Sequence, residues 1–183
     1  MSKKILIILT DGFEEVEAIT PIDILRRAGL EVVVAGLDKK DAIGSHGLRV
    51  ITDILLNEFK EMPEALVLPG GPGAETLGKS KEVTAIVRFL LDKKKTVAAI
   101  CAAPAVVLAR NGFLEGKSAT CYPGYEKELA EGAAVFSPER VVSDGLFITS
   151  RGPGTAMEFS LKLVEKLVDP QTAKKVAQQI LAM

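Results

Sequence analysis

Short runs of apolar residues recur along the chain, each too short for a helix and too continuous for a half-exposed strand. Residues 5–9 read ILIIL, and Ala65–Leu68 and Thr96–Ile100 are nearly as apolar. Runs of this length are typical of parallel strands that are buried on both faces of a sheet. We therefore expect these three segments, with Glu31–Gly36 and residues 146–149, to form the strands of a buried sheet.

Segments with helical periodicity separate these runs. Ala18, Ile22, Leu25 and Ala28 recur at three- and four-residue spacing, and Gly29 follows as a helix-ending residue. The same spacing predicts further helices over residues 83–90, 101–110, 152–167 and from about residue 171 onward. Two segments differ, since residues 44–51 predict a small hairpin around Gly47 and residues 117–143 look irregular.

Alternation of strands and helices favours parallel strand pairing with right-handed crossovers. The simplest arrangement is an α/β fold: a doubly wound, mostly parallel sheet flanked by helices. No linker, repeat or low-complexity segment divides the sequence, so we interpret residues 1–183 as a single domain.

The balance of charge argues against some classes of partner. The 183 residues include 23 Lys and Arg against 24 Asp and Glu, giving a formal net charge of −1. A protein that binds nucleic acid through phosphate contacts would usually be more basic, so we expect no nucleic-acid or membrane partner. The first apolar run ends at Asp11 and Gly12, too soon for a signal peptide or a membrane span. We therefore expect a cytoplasmic protein.

The cysteine and histidine content indicates neither a disulfide framework nor a zinc site. The chain has two cysteines, Cys101 and Cys121, and one histidine, His46. This is too few ligands for a structural zinc centre. We therefore expect no metal site.

The turns that follow the predicted strands carry the candidate catalytic and binding residues. In doubly wound sheets, binding sites lie beyond the carboxyl ends of the strands, near the switch in strand order. The turns after Leu9, Leu68 and Ile100 should therefore converge, although they are far apart in sequence.

Cys101 occupies the sharpest of these turns, where a strand passes directly into a predicted helix. The partial positive charge of a helix N-terminus favours a thiolate, and a strand-to-helix elbow exposes a nucleophile. We interpret Cys101 as the reactive centre; the alternative is a small buried core residue.

Gly70 and Gly71 lie in a loop whose backbone can approach a ligand closely. Their N–H groups, with that of Ala102, are candidates for an oxyanion hole. The alternative is a plain turn, because glycine-rich turns are common.

Four motifs in register carry a resemblance to a known family. They are GFEEVE at residues 12–17, LPGG at residues 68–71, AICAAP at residues 99–104 and SRGPGT at residues 150–155. In order and spacing they resemble the DJ-1-like branch of the DJ-1/PfpI (ThiJ) superfamily, and the likeness runs from residue 5 to about residue 168. The resemblance implies a flavodoxin-like fold, similar to class I glutamine amidotransferases, with a nucleophile elbow.

Glu17 matches the family's site glutamate, whose carboxyl group hydrogen-bonds the cysteine sulfur. A half-buried carboxyl group should have a raised pKa and could then donate a hydrogen bond or move protons. Alternatively, Glu14, Glu15 and Glu17 only complement a helix N-terminus.

The histidines of related hydrolases are absent. PfpI-type proteases carry a histidine directly after the cysteine, where this chain has Ala102, and DJ-1 has a downstream histidine where this chain has Tyr122. His46 lies in the predicted hairpin. Without a Cys–His pair, peptidase activity is disfavoured.

The resemblance implies an activity on reactive carbonyls, as a glutathione-independent glyoxalase or protein deglycase. Its substrates would be small dicarbonyls or glycated proteins, and Cys101 and Glu17 would be the catalytic residues. No metal or organic cofactor would be required. The alternative is a non-enzymatic oxidative-stress sensor or chaperone that acts through oxidation of Cys101. Both alternatives use the same site.

The resemblance also implies a homodimer. Arg27 matches an arginine that reaches a neighbouring subunit in DJ-1-like dimers; the alternative is a solvated charge at a helix end. Arg151 and Pro153 are further candidates for the rim of the site or the dimer interface, as are His46 and Tyr122.

Overall fold

The computed structural model describes residues 4–182, in which seven strands form a central sheet. These are β1 (Lys4–Leu9), β2 (Glu31–Gly36), β5 (Ile54–Leu55), β6 (Ala65–Leu68), β7 (Thr96–Ile100), β10 (Val141–Asp144) and β11 (Phe147–Ser150). Their order across the sheet is β10-β11-β7-β6-β1-β2-β5. Every neighbouring pair is parallel except β10 and β11, which form an antiparallel pair at one edge.

Four short strands of the described segment lie outside this sheet, in two small ladders. They are β3 (Asp41–Ile43) with β4 (Arg49–Ile51), which are antiparallel, and β8 (Ser118–Ala119) with β9 (Val135–Phe136), which are parallel.

Helices flank the central sheet. The α-helices are α1 (Glu15–Arg27), α2 (Gly73–Lys79), α3 (Lys81–Asp92), α4 (Glu126–Glu131), α5 (Ala156–Leu167) and α6 (Pro170–Gln179). A π-helix spans Pro104–Ala109, and 3₁₀ turns span Leu56–Glu58 and Pro153–Thr155. α1 packs against α5, α5 packs against β7 and β11, and α2 and α4 pack against the π-helix. None of the helices within residues 4–182 has both the length and the apolar composition needed to cross a bilayer.

The mostly parallel sheet flanked by helices confirms the predicted fold class. Residues 5–9 of β1 are completely buried because the strand lies between β2 and β6 and is covered on both faces. The same reason explains the complete burial of Ala65–Leu68. Continuous apolar sequence was therefore a reliable signal for the central strands.

The structure corrects the sequence prediction in the less apolar segments. Residues 117–143, expected to be irregular, contain α4 and three short strands, of which β10 forms the edge of the central sheet. Only one residue of α4 is buried and β10 is at most half-buried, so neither carries a strong hydrophobic period. The predicted helix from Cys101 is instead a turn followed by the π-helix.

The loops that follow β1 and β6 are bonded directly to each other at the switch in strand order. Glu14 N–H donates to Gly70 O at 3.1 Å, and Gly73 N–H donates to Gly12 O at 2.9 Å. An added Cβ at Gly73 would lie only 2.7 Å from Asp11 O. The predicted convergence of these turns is therefore present and depends on close backbone contact.

A second close approach supports the segment after Cys101. At Gly78, α2 touches the π-helix, and an added Cβ would lie 2.3 Å from Val106 O. The side chain of Asn111 bridges the same contact, donating to Gly78 O at 3.1 Å and to Val107 O at 2.9 Å.

We predict that Gly78→Ala destabilises the protein, because the methyl group would meet a backbone oxygen that cannot move away cheaply. The overpacking should reduce the free energy of unfolding by about 1–3 kcal/mol. At an unobstructed helix position the same substitution would usually increase stability, because alanine has a higher helix propensity than glycine. Gly154→Ala is the matched control, since its Cβ would have no atom within 4 Å. Urea unfolding of both variants measures the difference, and equal stability would contradict this account of the contact.

Candidate active site

Cys101 has a strained backbone that two hydrogen bonds hold in place. It directly follows β7 and has φ 68°, a left-handed conformation that non-glycine residues rarely adopt. Its N–H donates to Ser150 O at 2.9 Å, and its carbonyl accepts from Tyr122 N–H at 2.8 Å. The elbow predicted from the sequence is therefore present, and the thiol lies at the carboxyl end of the sheet with 7 % of the residue exposed.

Glu17 projects from the first turn of α1 and is completely buried. Its backbone N–H is capped by Glu14 Oε2 at 2.8 Å, and its own Oε2 accepts from Gly70 N–H at 2.8 Å. Its carboxyl group is also hydrogen-bonded to the thiol of Cys101. Glu17 Oε1 has no hydrogen-bond partner among residues 4–182.

Gly70 brings the two functional groups together because it has no side chain. A Cβ at this position would lie 2.5 Å from Cys101 Cβ, 2.6 Å from Glu17 Oε2 and 3.0 Å from Cys101 Sγ. Any other residue would therefore separate the thiol from the carboxylate. Since the Gly70 N–H is bonded to Glu17, Gly71 and Ala102 remain as the amide donors beside the sulfur.

Burial raises the pKa of the Glu17 carboxyl group to about 7, because the charged form loses its hydration. Hydrogen bonds from Cys101 and Gly70 act in the opposite direction, and the nearby carboxylate of Glu14 adds to the rise. A substantial fraction of Glu17 is therefore protonated at neutral pH and able to donate a proton.

Burial and an ionised Glu17 raise the pKa of the Cys101 thiol to about 12. The N–H groups of Gly71 and Ala102 oppose this by donating hydrogen bonds to the sulfur. The net direction is opposite to the one expected from a helix N-terminus alone, because burial dominates.

The two groups titrate as a coupled pair. When Glu17 holds the proton, its repulsion of the sulfur disappears and two amides remain to stabilise a thiolate. The pair therefore loses its first proton near pH 7, from Glu17, and the Glu17 carboxylate can take the thiol proton when the sulfur reacts.

Tyr122 and the turn after β11 form the remaining wall of the site. An added Cβ at Gly152 would lie 3.0 Å from Tyr122 Cδ2 and 3.9 Å from Glu17 Oε1, so this glycine separates the two side chains. Tyr122 is 45 % exposed. Pro153 begins the 3₁₀ turn next to Gly152. Arg151 and Pro153 were predicted from the sequence and Gly152 was not, although its place in the SRGPGT motif was a signal.

The structure places Arg27 and His46 away from the thiol of their own chain. Arg27 Nε is bonded to Asp23 Oδ2 at 2.7 Å on the surface of α1. His46 lies in the loop between β3 and β4, where its Nδ1 is 2.9 Å from Glu15 Oε2 and its N–H donates to Glu15 Oε1 at 2.6 Å. These contacts fasten the hairpin to the start of α1.

The link between Glu15 and His46 changes both of their pKa values. Burial alone would raise the pKa of Glu15, but hydrogen bonds from His46 and neighbouring amides lower it to about 2. The carboxylate in turn raises the pKa of His46.

Glu14, Glu15 and His46 also bring potential metal ligands within 4.8 Å of one another, but these carboxylates already accept the hydrogen bonds described above.

Cys121 is a fully buried free thiol, and burial raises its pKa to about 12. It follows Thr120, whose N–H donates to Thr149 Oγ1 at 3.0 Å. Complete burial and a raised pKa are consistent with a packing role for Cys121.

We predict that Glu17→Gln stabilises the fold above neutral pH. The folded state binds the Glu17 proton more tightly than the unfolded chain (pKa about 7 against an ordinary value of 4.5), so stability falls as pH rises from about 4.5 to about 7. Removing this ionisation should raise the free energy of unfolding at pH 8 by up to roughly 3 kcal/mol and have little effect at pH 4.

Urea unfolding at the two pH values tests this, with Glu115→Gln as a control because Glu115 is exposed. A gain from Glu17→Gln that is equal at both pH values would contradict the proposed cause.

Comparisons with known proteins identify the family of the chain. The DJ-1/PfpI family model matches residues 3–166. The chain is 41 % identical to the Drosophila melanogaster Protein dj-1beta over 184 residues, covering 99 % of this chain and 98 % of that protein. It is 41 % identical to the Arabidopsis thaliana Protein DJ-1 homolog B over 179 residues, covering 96 % of this chain but only 41 % of that longer protein.

Two further relatives bear on chemistry. The Caenorhabditis elegans protein named glutathione-independent glyoxalase DJR-1.2 is 32 % identical over 180 residues, covering 97 % of this chain and 96 % of that protein. The structure of oxidized Toxoplasma gondii DJ-1 is 38 % identical with a TM-score of 0.93, covering 98 % of each chain. With its elbow cysteine, its buried glutamate and a family match over nearly its whole length, the chain belongs to the DJ-1/PfpI family.

Proposed function

We propose that the protein is a glutathione-independent glyoxalase that converts methylglyoxal and glyoxal to hydroxy acids through Cys101 and Glu17. The observation that carries the proposal is the hydrogen-bonded contact between the elbow thiol and a completely buried carboxyl group with a pKa of about 7. A pair of this kind supplies both a nucleophile and a group that can accept and return a proton. The name of the Caenorhabditis elegans relative supports this reaction.

The first step forms a bond between sulfur and the aldehyde carbon. The Cys101 thiolate adds to the aldehyde, and the N–H groups of Gly71 and Ala102 stabilise the resulting oxyanion. Protonated Glu17 then gives its proton to that oxygen, leaving a hemithioacetal and a Glu17 carboxylate.

The second step moves hydrogen between adjacent carbons. The Glu17 carboxylate removes the proton from the former aldehyde carbon and returns one to the neighbouring carbon, and the oxygens exchange a proton to give a thioester. Water hydrolyses the thioester, releasing the 2-hydroxy acid and restoring the thiol. The reaction consumes one water and needs no redox partner.

This mechanism does not require a histidine. Tyr122 occupies the position of the family histidine, and His46 is bonded to Glu15 in the hairpin. Glu17 carries the protons between carbon, oxygen and sulfur in this mechanism. Peptidase chemistry is not part of the proposal because the chain lacks a Cys–His pair. Apparent deglycation of proteins would follow from consumption of free methylglyoxal.

We expect purified protein to produce lactate from methylglyoxal without glutathione, with turnover that rises with pH through about 7 as the pair loses its first proton. Cys101→Ser and Glu17→Gln should each abolish turnover, because one lacks the nucleophile and the other lacks the proton carrier. Variants purified identically exclude contaminating glyoxalases. Lactate formation equal to that of the Cys101→Ser sample would refute the proposal.

A second candidate function is oxidation sensing through the same cysteine. Two observations support this candidate: the Toxoplasma gondii relative is an oxidized DJ-1, and the carboxyl group of Glu17 lies next to the sulfur, where it would hydrogen-bond an added oxygen. Attack of the thiolate on hydrogen peroxide gives a sulfenate and water, and a second peroxide gives a sulfinate.

For a sensor, we expect limited peroxide to add two oxygen atoms selectively at Cys101, a gain of about 32 Da by intact mass. Cys121→Ser should behave like the wild type, because Cys121 is completely buried. Cys101→Ser should gain no oxygen at equal peroxide. Oxidation spread equally over both cysteines would argue against a sensor, and selective oxidation without aldehyde turnover would favour it over the enzyme.

We also propose a homodimer formed through one face of α1 and the β3–β4 hairpin. Val16 and Ile19 on α1 and Leu48 and Ile51 on the hairpin are 39–79 % exposed, an unusual density of large apolar side chains. The bonds of Glu15 to the hairpin make the two elements one surface. Arg27 follows Val16 and Ile19 at helical spacing, so the helix face that would meet the partner includes it.

Light scattering at micromolar concentration should give twice the monomer mass for the wild type and the monomer mass for Ile51→Glu. Leu181→Glu is the control, because Leu181 is 88 % exposed on a different part of the chain. A monomeric wild type, or a dimeric Ile51→Glu, would overturn this interface.

A further inference from the structure

A surface cavity lies directly beside the catalytic pair. Its volume is about 250 Å³, and its walls come from the Tyr122–Pro123 segment, from the turn after β11 and from two arginines. Its lining includes Tyr122, Arg140, Arg151 and Gly152.

The cavity borders the catalytic pair at Gly152 and Tyr122. Gly152 lines the cavity, and a Cβ on it would be 3.9 Å from Glu17 Oε1. Tyr122 also lines the cavity, and its backbone N–H is bonded to Cys101 O at 2.8 Å. A substrate whose carbonyl is at Cys101 could therefore extend a short chain past Tyr122 into this space.

Of the two arginines, Arg151 is the one with the weaker contacts to protein oxygens. Its closest oxygen contacts are long, 3.4 Å to Pro138 O and 3.9 Å to Glu126 Oε1. The guanidinium carbon lies 5.8 Å from the centre of the Phe136 ring, which supports the group without using its N–H donors. Its side chain is 25 % exposed, so the charge is positioned but partly shielded from water.

The other described charged groups around the cavity are already paired. Arg140 donates to Glu158 Oε2 at 2.8 Å and to Gly154 O at 3.0 Å. Glu126 Oε2 accepts from Gly124 N–H at 2.7 Å. Arg151 is therefore the cation at this cavity that is held least tightly by protein oxygens and is the better placed to exchange them for a ligand.

We propose that Arg151 binds a carboxylate carried by the substrate a few atoms from its reacting carbonyl, so that the preferred substrates are anionic 2-oxoaldehydes. This inference rests on the proposed glyoxalase function. A planar guanidinium can engage a carboxylate through two parallel hydrogen bonds, which fixes both distance and orientation. Neutral methylglyoxal lacks such a group and would use only the Cys101 end of the site.

The probe substrates are 4,5-dioxopentanoate and its neutral analogue 2-oxopentanal. Cys101 adds to the aldehyde of each, a proton moves between the two carbonyl carbons, and one water hydrolyses the thioester. The product from 4,5-dioxopentanoate is 2-hydroxyglutarate and that from 2-oxopentanal is 2-hydroxypentanoate, so atoms and electrons balance without another reactant.

We expect the wild type to have a kcat/KM at least about tenfold higher for 4,5-dioxopentanoate than for 2-oxopentanal, chiefly through a lower KM. In Arg151→Gln this ratio should fall to near one, and Arg151→Lys should restore part of it because the charge remains. Arg88→Gln is the matched control, since Arg88 stacks in the same way on Phe113 at 5.7 Å. It should leave the ratio unchanged.

A second measurement does not depend on turnover. Glutarate, an unreactive dicarboxylate, should slow the alkylation of Cys101 by iodoacetamide in the wild type and in Arg88→Gln, but not in Arg151→Gln. If neither aldehyde is converted, the proposed glyoxalase function fails. The effect of glutarate on the alkylation of Cys101 then still shows whether the carboxylate site exists. A substrate ratio that does not respond to Arg151, or protection that is equal in all variants, would overturn the carboxylate site alone.

Discussion

The contact between a completely buried carboxyl group and a strained thiol is the constraint on which the rest of this site depends. Glu17 has no exposure to water, and its Oε2 is held by the Gly70 N–H at 2.8 Å. A charge in such a place is unfavourable, so the carboxyl group retains its proton up to neutral pH. The same burial that makes the position unfavourable for stability makes Glu17 useful as a proton carrier.

Three separate segments have to approach one another to create this contact, and glycine makes each approach possible. Gly70 leaves room for the thiol and the carboxylate, Gly73 lets the loop after β6 touch the turn after β1, and Gly152 fits between Tyr122 and Glu17. The strained φ of Cys101 adds a further unfavourable term, which its hydrogen bonds to Ser150 and Tyr122 offset. The packing of the sheet and its flanking helices therefore has to offset the unfavourable burial and backbone strain at the site.

The two proposals for substrate and redox chemistry differ in what approaches the sulfur, not in the residues that surround it. Gly71, Ala102 and Glu17 can stabilise an oxygen next to Cys101 whether it comes from an aldehyde or from a peroxide. Access then decides the chemistry, and Cys101 is only 7 % exposed. With the proposed role of Arg151, the cavity beside Tyr122 and Gly152 would favour small elongated anions over bulky substrates.

The sequence by itself determined the central strands and the long helices, and it nominated Cys101 and Glu17 as the candidate reactive pair. Continuous apolar runs have few alternatives to a buried parallel strand, and four motifs in register singled out Cys101 and Glu17. The tertiary structure decided features that depend on contacts between distant segments. Burial set the protonation of the pair, the Gly70 amide became bound to Glu17, and His46 was fixed to Glu15 instead of approaching the thiol. The β10 edge strand and the π-helix also emerged only there, because weakly periodic segments take their conformation from the elements they pack against.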